Sequence, residues 1–503
     1  MSNYRLREMD IDDKVCEQVS MSVLREGYPP EVIECCVQQS QPWASKARRV
    51  RASTVVSLVL FVIGMALWSR LNQCQVWHKL VGKLSLLHPA EPDDQMSDAG
   101  LSGRRHALGS QGVQALMGEC CRLIAHPHSM PSAFFGRYRL MAIDGTVFKV
   151  ADTPANEQAY GRSRNQYGKG AYPQVRGVLL AECGSHAVVG LQLDRYDVSE
   201  VHGAHRLVEQ VGGDMLVLMD AGITSGGFLE HLRHQRAHGL GALEAGVWEN
   251  VTGQRRLSDG TVLAWIAPSR PSQAHYPVQQ GVWVRIISYR VTDERLGELG
   301  QVYRLVTTLL NPRLAPALTL IALYHERWEV ELVIDEIKTH ERAQRKVLRS
   351  KTPQGVVQEL YGLFLAQYAV RVMMARAAVE AGLDPDRLSF SEGLFQLAEV
   401  LDLALILEPE QSIEPLLRHL SHIIGLTVLP VRRVRINRRE VKQIYNKYTP
   451  KKRDVPPPKP FEPGEQFLDF VELLDPLAPA LIGEALARER EPQAGPRGRL
   501  GVA

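Results

Sequence analysis

The amino-acid sequence predicts an α/β protein: a mixed-sheet core interrupted by a mainly β insertion, with a helical N-terminal domain and a helical C-terminal region. Apolar residues follow a helical period up to about residue 130. Short alternating or continuous apolar runs bounded by turn residues come next, as is typical of strands. Beyond about residue 312 the period is helical again. With 503 residues, 45% hydrophobic and 23% charged, the chain can form several cores, and its composition excludes wholesale disorder.

Net charge and cysteine content restrict location and partners only weakly. The formal net charge of +3 is nearly balanced, so local clusters rather than the whole chain must attract any polyanion. The seven cysteines are odd in number and form no Cys-x-x-Cys pattern, which favours reduced thiols and hence a cytoplasmic protein. Residues 1–13 are polar and charged, so no signal peptide is expected.

Residues 1–130 are predicted to form a helical domain. Pro29 and Pro30 indicate a helix start, because proline is tolerated in a first turn. Further helices are expected over residues 46–70, 75–87 and 113–124. The uncharged segment 52–69 is near the lower length limit for a membrane span. Since it is solitary and contains serine and threonine, we interpret it as a buried core helix and expect no membrane partner. A membrane anchor is the alternative.

Residues 131–247 have the pattern of a sheet with helices. Asp144 lies within the first strand, and Asp220 directly follows a continuous apolar run typical of a central strand covered on both faces. Three strands, a helix, a strand, a helix and a strand is the order of a ribonuclease-H-like fold, in which the first and fourth strands are neighbours. Functional groups of open α/β sheets collect at the carboxyl ends of strands, so we expect the two carboxylates to lie together.

Each aspartate also has a structural explanation, since Asp-Gly is a common turn and a strand-end Asp is a common helix cap. The predicted strands are residues 138–150, 174–181, 187–193, 214–219 and 241–247, with helices at 202–211 and 226–237 and a polar loop at 156–170. Residues 248–311 then alternate between apolar and polar, which predicts a β-rich insertion. Its strands are expected at residues 262–266, 282–291 and 303–309.

Residues 323–338 contain no Gly or Pro, and their apolar positions recur every three or four residues, which predicts a helix. At about 100° per residue, one narrow stripe beside an apolar flank carries four side chains: Tyr324, Arg327, Glu331 and Lys338. A carboxylate between two cations and an aromatic suits a phosphodiester substrate, because these groups hold a metal ion, phosphate oxygens and a base. An amphipathic surface helix with internal ion pairs is the alternative. Asp335, one turn after Glu331, competes with it as a ligand.

The spacing Tyr-x2-Arg-x3-Glu-x6-Lys, with Trp328 after the arginine, resembles the signature of DDE transposases of the insertion-sequence-four family. The sequence LVTTLLNP before the helix and residues 348–353 after it are also similar to that family. The resemblance spans roughly residues 30 to 375. It is strongest around the two aspartates and the helix predicted over residues 323–338, which we call the acidic helix.

This resemblance implies a DNA transposase that cleaves transposon ends and transfers the strands into target DNA. Its metal-binding, catalytic triad would be Asp144, Asp220 and Glu331. The implied cofactor is a pair of Mg²⁺ ions, for which Mn²⁺ can substitute. DNA contacts would come from Tyr324, Arg327 and Lys338. The partners are DNA, bound in part by the N-terminal domain, and a second copy of the chain, since pairing two ends usually implies a homodimer.

Residues 312–378 are predicted to form a second core part that includes the acidic helix. Residues 379–455 are predicted to form a helical basic region, and residues 456–503 a Pro-rich linker and tail. Residues 431–453 hold ten Lys or Arg against one acidic residue, and such a run either tracks phosphates or forms a solvated helix. Two other functions stay open. An inactive, domesticated DNA-binding relative would normally lose a carboxylate, and another ribonuclease-H-like nuclease would not need the stripe on the acidic helix.

Overall fold

The structure is a computed structural model, and the residues it describes are 27–40, 52–87, 96–165, 168–243, 251–268, 276, 280–293, 296, 300–341, 347–404, 414–430 and 465–475. The basic run at 431–453 lies outside them, as does most of the predicted linker and tail. The chain divides into two compact units. Unit 1 comprises Met1–Ile223, His231–His238 and Glu326–Arg432, and unit 2 comprises Thr224–Glu230, Gly239–His325 and Arg433–Ala503.

The helices and strands are numbered in chain order. The α-helices are α1 Pro30–Ser40, α2 Ala52–Leu67, α3 Gln73–Leu87, α4 Asp98–Leu108, α5 Gln111–Cys120, α6 Pro154–Tyr160, α7 Glu200–Leu207, α8 Gly226–His234, α9 Ala317–Tyr324, α10 Trp328–Asp335, α11 Pro353–Ala381, α12 Phe390–Ala404 and α13 Glu414–Leu426. The strands are β1 Phe134–Phe135, β2 Tyr138–Lys149, β3 Arg164–Asn165, β4 Gly168–Lys169, β5 Gln174–Glu182, β6 Val188–Arg195, β7 Met215–Met219, β8 His238–Ala242, β9 Val251–Arg256, β10 Val262–Ile266, β11 Val282–Val291, β12 Tyr303–Thr307 and β13 Val471–Leu474.

Unit 1 is built on a mixed sheet whose strands lie in the order β6-β5-β2-β7. Strand β5 is antiparallel to both β2 and β6, whereas β7 is parallel to β2. Every residue of β7 is buried, as its continuous apolar run predicts for a strand covered on both faces. In a ribonuclease-H-like fold, the first core strand lies between its antiparallel second strand and a parallel fourth strand. Here β2, β5 and β7 take these three positions. The predicted fold class is confirmed.

The helical part of unit 1 contains the apolar segment whose location was in question. Helix α2 packs against α11, and its residues Val59, Phe61 and Ile63 are no more than 1% exposed. The interpretation of this segment as a buried core helix is therefore confirmed. Among the described residues, α11 alone has the length and apolar character needed to cross a membrane, and 89% of its most apolar window is buried within the protein.

The contact between α2 and α11 depends on Gly362. A Cβ at this position would lie 2.7 Å from the carbonyl oxygen of Val62 and 2.9 Å from its Cγ1. Because a backbone atom cannot rotate away, Gly362→Ala is expected to separate the helices and lower the free energy of unfolding by roughly 1–3 kcal/mol. Chemical denaturation measures this, with Gly118→Ala as control, since a Cβ at Gly118 meets nothing within 4 Å. Equal stability of the two variants would contradict the close contact.

Unit 2 contains an antiparallel β-sheet in the order β8-β12-β11-β10-β9, with β13 also pairing with β11. The strands predicted at 262–266 and 282–291 are confirmed as β10 and β11, and β12 ends two residues earlier than predicted. Two strands were missed. Strand β9 has five exposed residues after its first and so lacks the alternation that marks a half-buried strand. Strand β13 follows the Pro-rich stretch that was predicted to be irregular.

The polar loop predicted at residues 156–170 is wrong for its first part. Helix α6 begins at Pro154, and the side chain of Thr153 accepts a hydrogen bond from the backbone N–H of Asn156. A Thr cap followed by proline at the first helical position is a favourable start for a short helix. The side chain of Asn156 is fully buried and donates hydrogen bonds to the carbonyl oxygens of Ala151 and Ser350. Strands β3 and β4 then form a small hairpin.

Candidate active site

The two candidate aspartates follow a registered pair of parallel strands. Ile143 of β2 lies opposite Met219 of β7. Asp144 follows Ile143 directly, and Asp220 follows Met219. Neighbouring strands are about 4.8 Å apart, so the two residues are adjacent across the sheet. Strand β2 continues beyond Asp144 to Lys149, whereas β7 ends at Met219. Asp144 therefore stands on a rigid strand, and Asp220 begins a turn.

The electrostatic surroundings of Asp144 identify its neighbours. The pKa of Asp144 is raised to about 6, mainly by burial and to a smaller extent by the carboxylates of Asp220 and Glu331. The backbone N–H of Gly145, 2.7 Å from Oδ1 of Asp144, and the guanidinium of Arg327 act in the opposite direction. The structure thus brings together three carboxylates and one cation from three distant stretches of the chain.

Asp220 has a structural role as well as a place in this group. Its Oδ1 accepts a hydrogen bond from the backbone N–H of Ile223 over 3.0 Å, which closes the turn after β7. The side chain is half-buried. The turn explanation and the functional explanation for this residue are therefore compatible, because the same hydrogen bond fixes the direction of the carboxylate.

The stretch predicted as one helix changes geometry along its length, which corrects that prediction. Helix α9 ends at Tyr324 in unit 2, a 3-10 turn covers His325–Arg327, α10 covers Trp328–Asp335 and a π-helical segment covers Glu336–Glu341. A 3-10 turn is narrower and a π turn wider than an α turn, so the side chains do not follow a uniform 100° step. The position of each stripe residue depends on these local changes.

Glu331 lies on α10 with its side chain 25% exposed, and its Oε1 accepts a hydrogen bond from Nη2 of Arg327 over 3.2 Å. The guanidinium of Arg327 also lies 4.8 Å from the ring centroid of Trp328. The ion pair and the ring contact hold the side chain of Arg327 beside Glu331. Asp335, the competing candidate, is exposed, and Glu331 rather than Asp335 is among the charges that shift the pKa of Asp144.

Lys338 lies in the π-helical segment and reaches back to β2. Its Nζ donates a hydrogen bond to the hydroxyl of Thr146 and lies 5.3 Å from the ring centroid of Phe148. Alternate residues of a strand share one face, so both contacts lie on the same face of β2 as Asp144. The structure therefore places the ammonium of Lys338 on the face of the sheet that carries the first carboxylate.

Tyr324 is the last residue of α9 and belongs to unit 2, where it is half-buried. Its hydroxyl lies near that of Tyr289 on β11. Burial, with smaller contributions from Tyr324 and Tyr303, raises the pKa of Tyr289 well above its ordinary value.

A further group of charged side chains in unit 1 was not predicted. We call it the inner cluster, and it consists of His186, Glu329, Glu336, Arg371 and Asp386. Nε2 of His186 contacts the carboxylate of Glu329 and lies 3.0 Å from Oδ1 of Asp386, while its Nδ1 lies 3.2 Å from Oε1 of Glu336. Arg371 donates from Nε to Oε2 of Glu336 over 3.1 Å and from Nη2 to the other carboxylate oxygen.

Charge balance decides what the inner cluster can hold. Ligand atoms of His186, Glu329 and Asp386 all lie within 4.8 Å of one another, close enough for a metal ion. Burial and Arg371 lower the pKa of His186. Its carboxylate neighbours raise the pKa by more than this, so the net pKa lies well above the ordinary value. The buried guanidinium of Arg371 contacts both Glu336 and Nδ1 of His186 and offsets part of the carboxylate charge, so we interpret the inner cluster as an ion-paired group.

One sequence signal could have identified the inner cluster. Glu336 lies between Val333 and Ile337, which are fully buried, so a carboxylate occurs on the apolar flank of the acidic helix. Unpaired charges are rarely buried, and such a position predicts a partner. The identity of the partners could not have been predicted, because His186 and Arg371 are distant in sequence and lie among residues of ordinary composition.

Comparisons with known proteins match most of the chain to transposases. Residues 135–368 match the family model "Transposase DDE domain", and residues 18–118 match "Insertion element 4 transposase N-terminal". The chain is 31% identical over 442 residues to "Transposase InsG for insertion sequence element IS4" of Escherichia coli (strain K12), covering 86% of this chain and 95% of that protein.

Two further proteins are similar over parts of their length. The chain is 23% identical over 253 residues to "Putative transposase InsZ" of the same organism, covering 50% of this chain and 80% of that protein. Among solved structures, the piggyBac transposase synaptic complex with hairpin DNA aligns with a TM-score of 0.35 and 12% identity, covering 83% of this chain and 85% of that one.

Proposed function

The chain belongs to the DDE transposase family of insertion element 4, and from this membership we propose that Asp144, Asp220 and Glu331 are its catalytic, metal-binding residues. The protein is thus a DNA transposase, an enzyme that cleaves DNA and transfers strands with the help of a divalent metal. The observation that carries the residue assignment is the register of β2 and β7, which puts Asp144 beside Asp220; Glu331 is among the charges that act on Asp144.

The donor set fits a hard divalent cation. The three half-buried carboxylates offer only oxygen ligands, which Mg²⁺ prefers. They repel one another until a cation neutralises them, and the raised pKa of Asp144 reflects burial first and this repulsion second. We assign the site to a pair of Mg²⁺ ions, with Mn²⁺ as a substitute. When bound, such a pair activates the attacking oxygen and stabilises the leaving oxygen of a phosphodiester.

The cations beside the carboxylates suit a phosphate backbone. Arg327 keeps Glu331 oriented through the 3.2 Å hydrogen bond, and its guanidinium is a cation of the kind that recognises phosphate oxygens. Lys338, held by the hydroxyl of Thr146, supplies a point charge on the same face of β2. We assign both residues to phosphate contacts at the transposon end. Tyr324 is assigned to a DNA contact by its place in the family signature.

We make two further assignments about the whole protein, one from its function and one from its cysteines. Because a transposase must process two transposon ends together, we assign a homodimer to the DNA-bound state. We also assign the protein to the cytoplasm, since its seven cysteines are odd in number and include no Cys-x-x-Cys pair.

Metal-dependent cleavage of the DNA that flanks the coding region tests this proposal. The purified full-length chain, incubated with linear DNA carrying the flanking inverted repeats, is expected to nick at their ends with Mg²⁺ or Mn²⁺. With a chelator it is expected to bind the same DNA without cutting it, because the carboxylates alone provide no electrophile. Denaturing gels measure cleavage and mobility shifts measure binding. Cutting that persists in the chelator, or specific binding without cutting in either metal, would reject the assignment.

A further inference from the structure

We propose that the inner cluster positions the acidic helix, with Arg371 and His186 as positioning residues that hold Glu331 and Lys338 in place. This inference rests on the proposed catalytic role of Glu331. The inner cluster joins four parts of unit 1: the turn between β5 and β6 contributes His186, the acidic helix contributes Glu329 and Glu336, α11 contributes Arg371, and the 3-10 turn Pro385–Arg387 contributes Asp386.

The spacing of the two glutamates explains how the helix is fixed. Glu329 and Glu336 are seven residues apart, which is about two helical turns, so they project from the same side. Glu331 is two residues from Glu329 and projects about 200° away from it. A helix held at two points on one side can neither rotate nor slide. The residue on its opposite side is therefore presented at a constant angle to Asp144.

The π-helical segment begins at the same residue that Arg371 binds. Glu336 is its first residue and Lys338 its third, and single π turns occur frequently at functional sites. An α-helical continuation would direct Lys338 differently, because a π turn contains more residues. We infer that the bidentate pair between Glu336 and Arg371 fixes the start of the π-helical segment and so directs Nζ of Lys338 to Thr146.

Burial makes this arrangement sensitive to the loss of one charge. The side chains of Arg371 and Glu336 are 2% and 8% exposed, and that of His186 is fully buried. Removing one member of a buried ion pair leaves the other charge without compensation and is strongly destabilising. His186 also adopts a positive φ of 59°, a conformation that residues other than glycine rarely adopt. A histidine in this conformation is compatible with a specific role for the ring.

The test compares two buried arginines of α11. Arg371→Gln removes the partner of Glu336, whereas Arg376→Gln removes an arginine whose Nε bonds Glu380 on the same helix over 2.8 Å. We expect Arg371→Gln to lower the single-turnover rate of end cleavage about 10- to 100-fold, and to raise the Mg²⁺ concentration for half-maximal rate by a similar factor. Affinity for end DNA should stay within about threefold, and Arg376→Gln should change none of these quantities by more than about threefold.

Two more variants separate positioning from folding. Arg371→Lys keeps the charge and is expected to recover part of the rate, and Arg371→Gln combined with Glu336→Gln is expected to recover the melting temperature but not the Mg²⁺ response. A rate that falls only in proportion to the folded fraction, with an unchanged Mg²⁺ response, would overturn the proposal. So would a zinc ion retained by the purified chain and lost in His186→Ala. If Glu331→Gln still cleaves DNA, the catalytic assignment fails. If Glu331→Gln is inactive but Arg371→Gln cleaves at the parent rate, the positioning role fails and the catalytic assignment stands.

Discussion

Glu331→Gln is expected to lower the rate of DNA end cleavage by at least about 10³-fold and to leave affinity for end DNA within about twofold. Glutamine keeps the size of the side chain and can still accept the hydrogen bond from Arg327, 3.2 Å away. It loses the negative charge through which a carboxylate attracts a divalent cation. Cleavage and binding are measured on one preparation with Mg²⁺ and with Mn²⁺, because an amide is a poor ligand for either ion.

Asp335→Asn is the matched control for this variant. Asp335 is exposed and lies one helical turn after Glu331, so its replacement changes the local charge by the same amount. Cleavage by this protein is expected to stay within about threefold of the parent, as for most surface substitutions. Loss of cleavage in Asp335→Asn with retention in Glu331→Gln would exchange the two assignments.

Asp144→Asn is expected to abolish cleavage and, at neutral pH without metal, to raise the free energy of unfolding by about 1–2 kcal/mol. The folded-state pKa of Asp144 is about 6, above the value of roughly 4 for an unfolded Asp. A raised pKa stabilises the fold fully below the unfolded value, and this stabilisation is lost as the pH rises through about 6. The parent thus loses stability over that window, whereas asparagine does not titrate.

Chemical denaturation in a chelator at about pH 5 and about pH 8 tests this. The difference between Asp144→Asn and the parent should widen with pH, and saturating Mg²⁺ should then stabilise the parent more than the variant, because only the parent keeps all three ligands. Asp214→Asn is the control, since Asp214 is exposed at the other end of β7. A variant that is less stable than the parent at both pH values would contradict carboxylate repulsion at this position.

The sheet could be predicted from the local pattern of the sequence, and the proposed triad from that pattern together with the family signature. Strand β7 is a continuous apolar run that ends at Met219, and the order of strands and helices predicts that it lies beside β2. That neighbourhood alone puts Asp144 next to Asp220. Glu331 could be chosen over Asp335 by its spacing from Arg327, and the structure places it among the charges near Asp144.

The remaining features depend on tertiary contacts that have no local signal. The π-helical segment starts at Glu336, whose partner Arg371 lies on another helix, so periodicity alone predicts a uniform helix. Strand β13 pairs with β11 although nearly two hundred residues separate them. Strand β9 exposes most of its side chains and therefore lacks a hydrophobic signature.

The wide separation of these residues along the chain has a consequence during protein synthesis. A ribosome releases both aspartates well before the acidic helix, and Arg371 emerges last of all. Domains fold as units once their residues have emerged, so a chain interrupted between the acidic helix and α11 carries the three ligands without the element that aligns them. Under the assignments made above, a product that ends before α11 does not cut DNA efficiently, and cutting begins only after this helix has been synthesised.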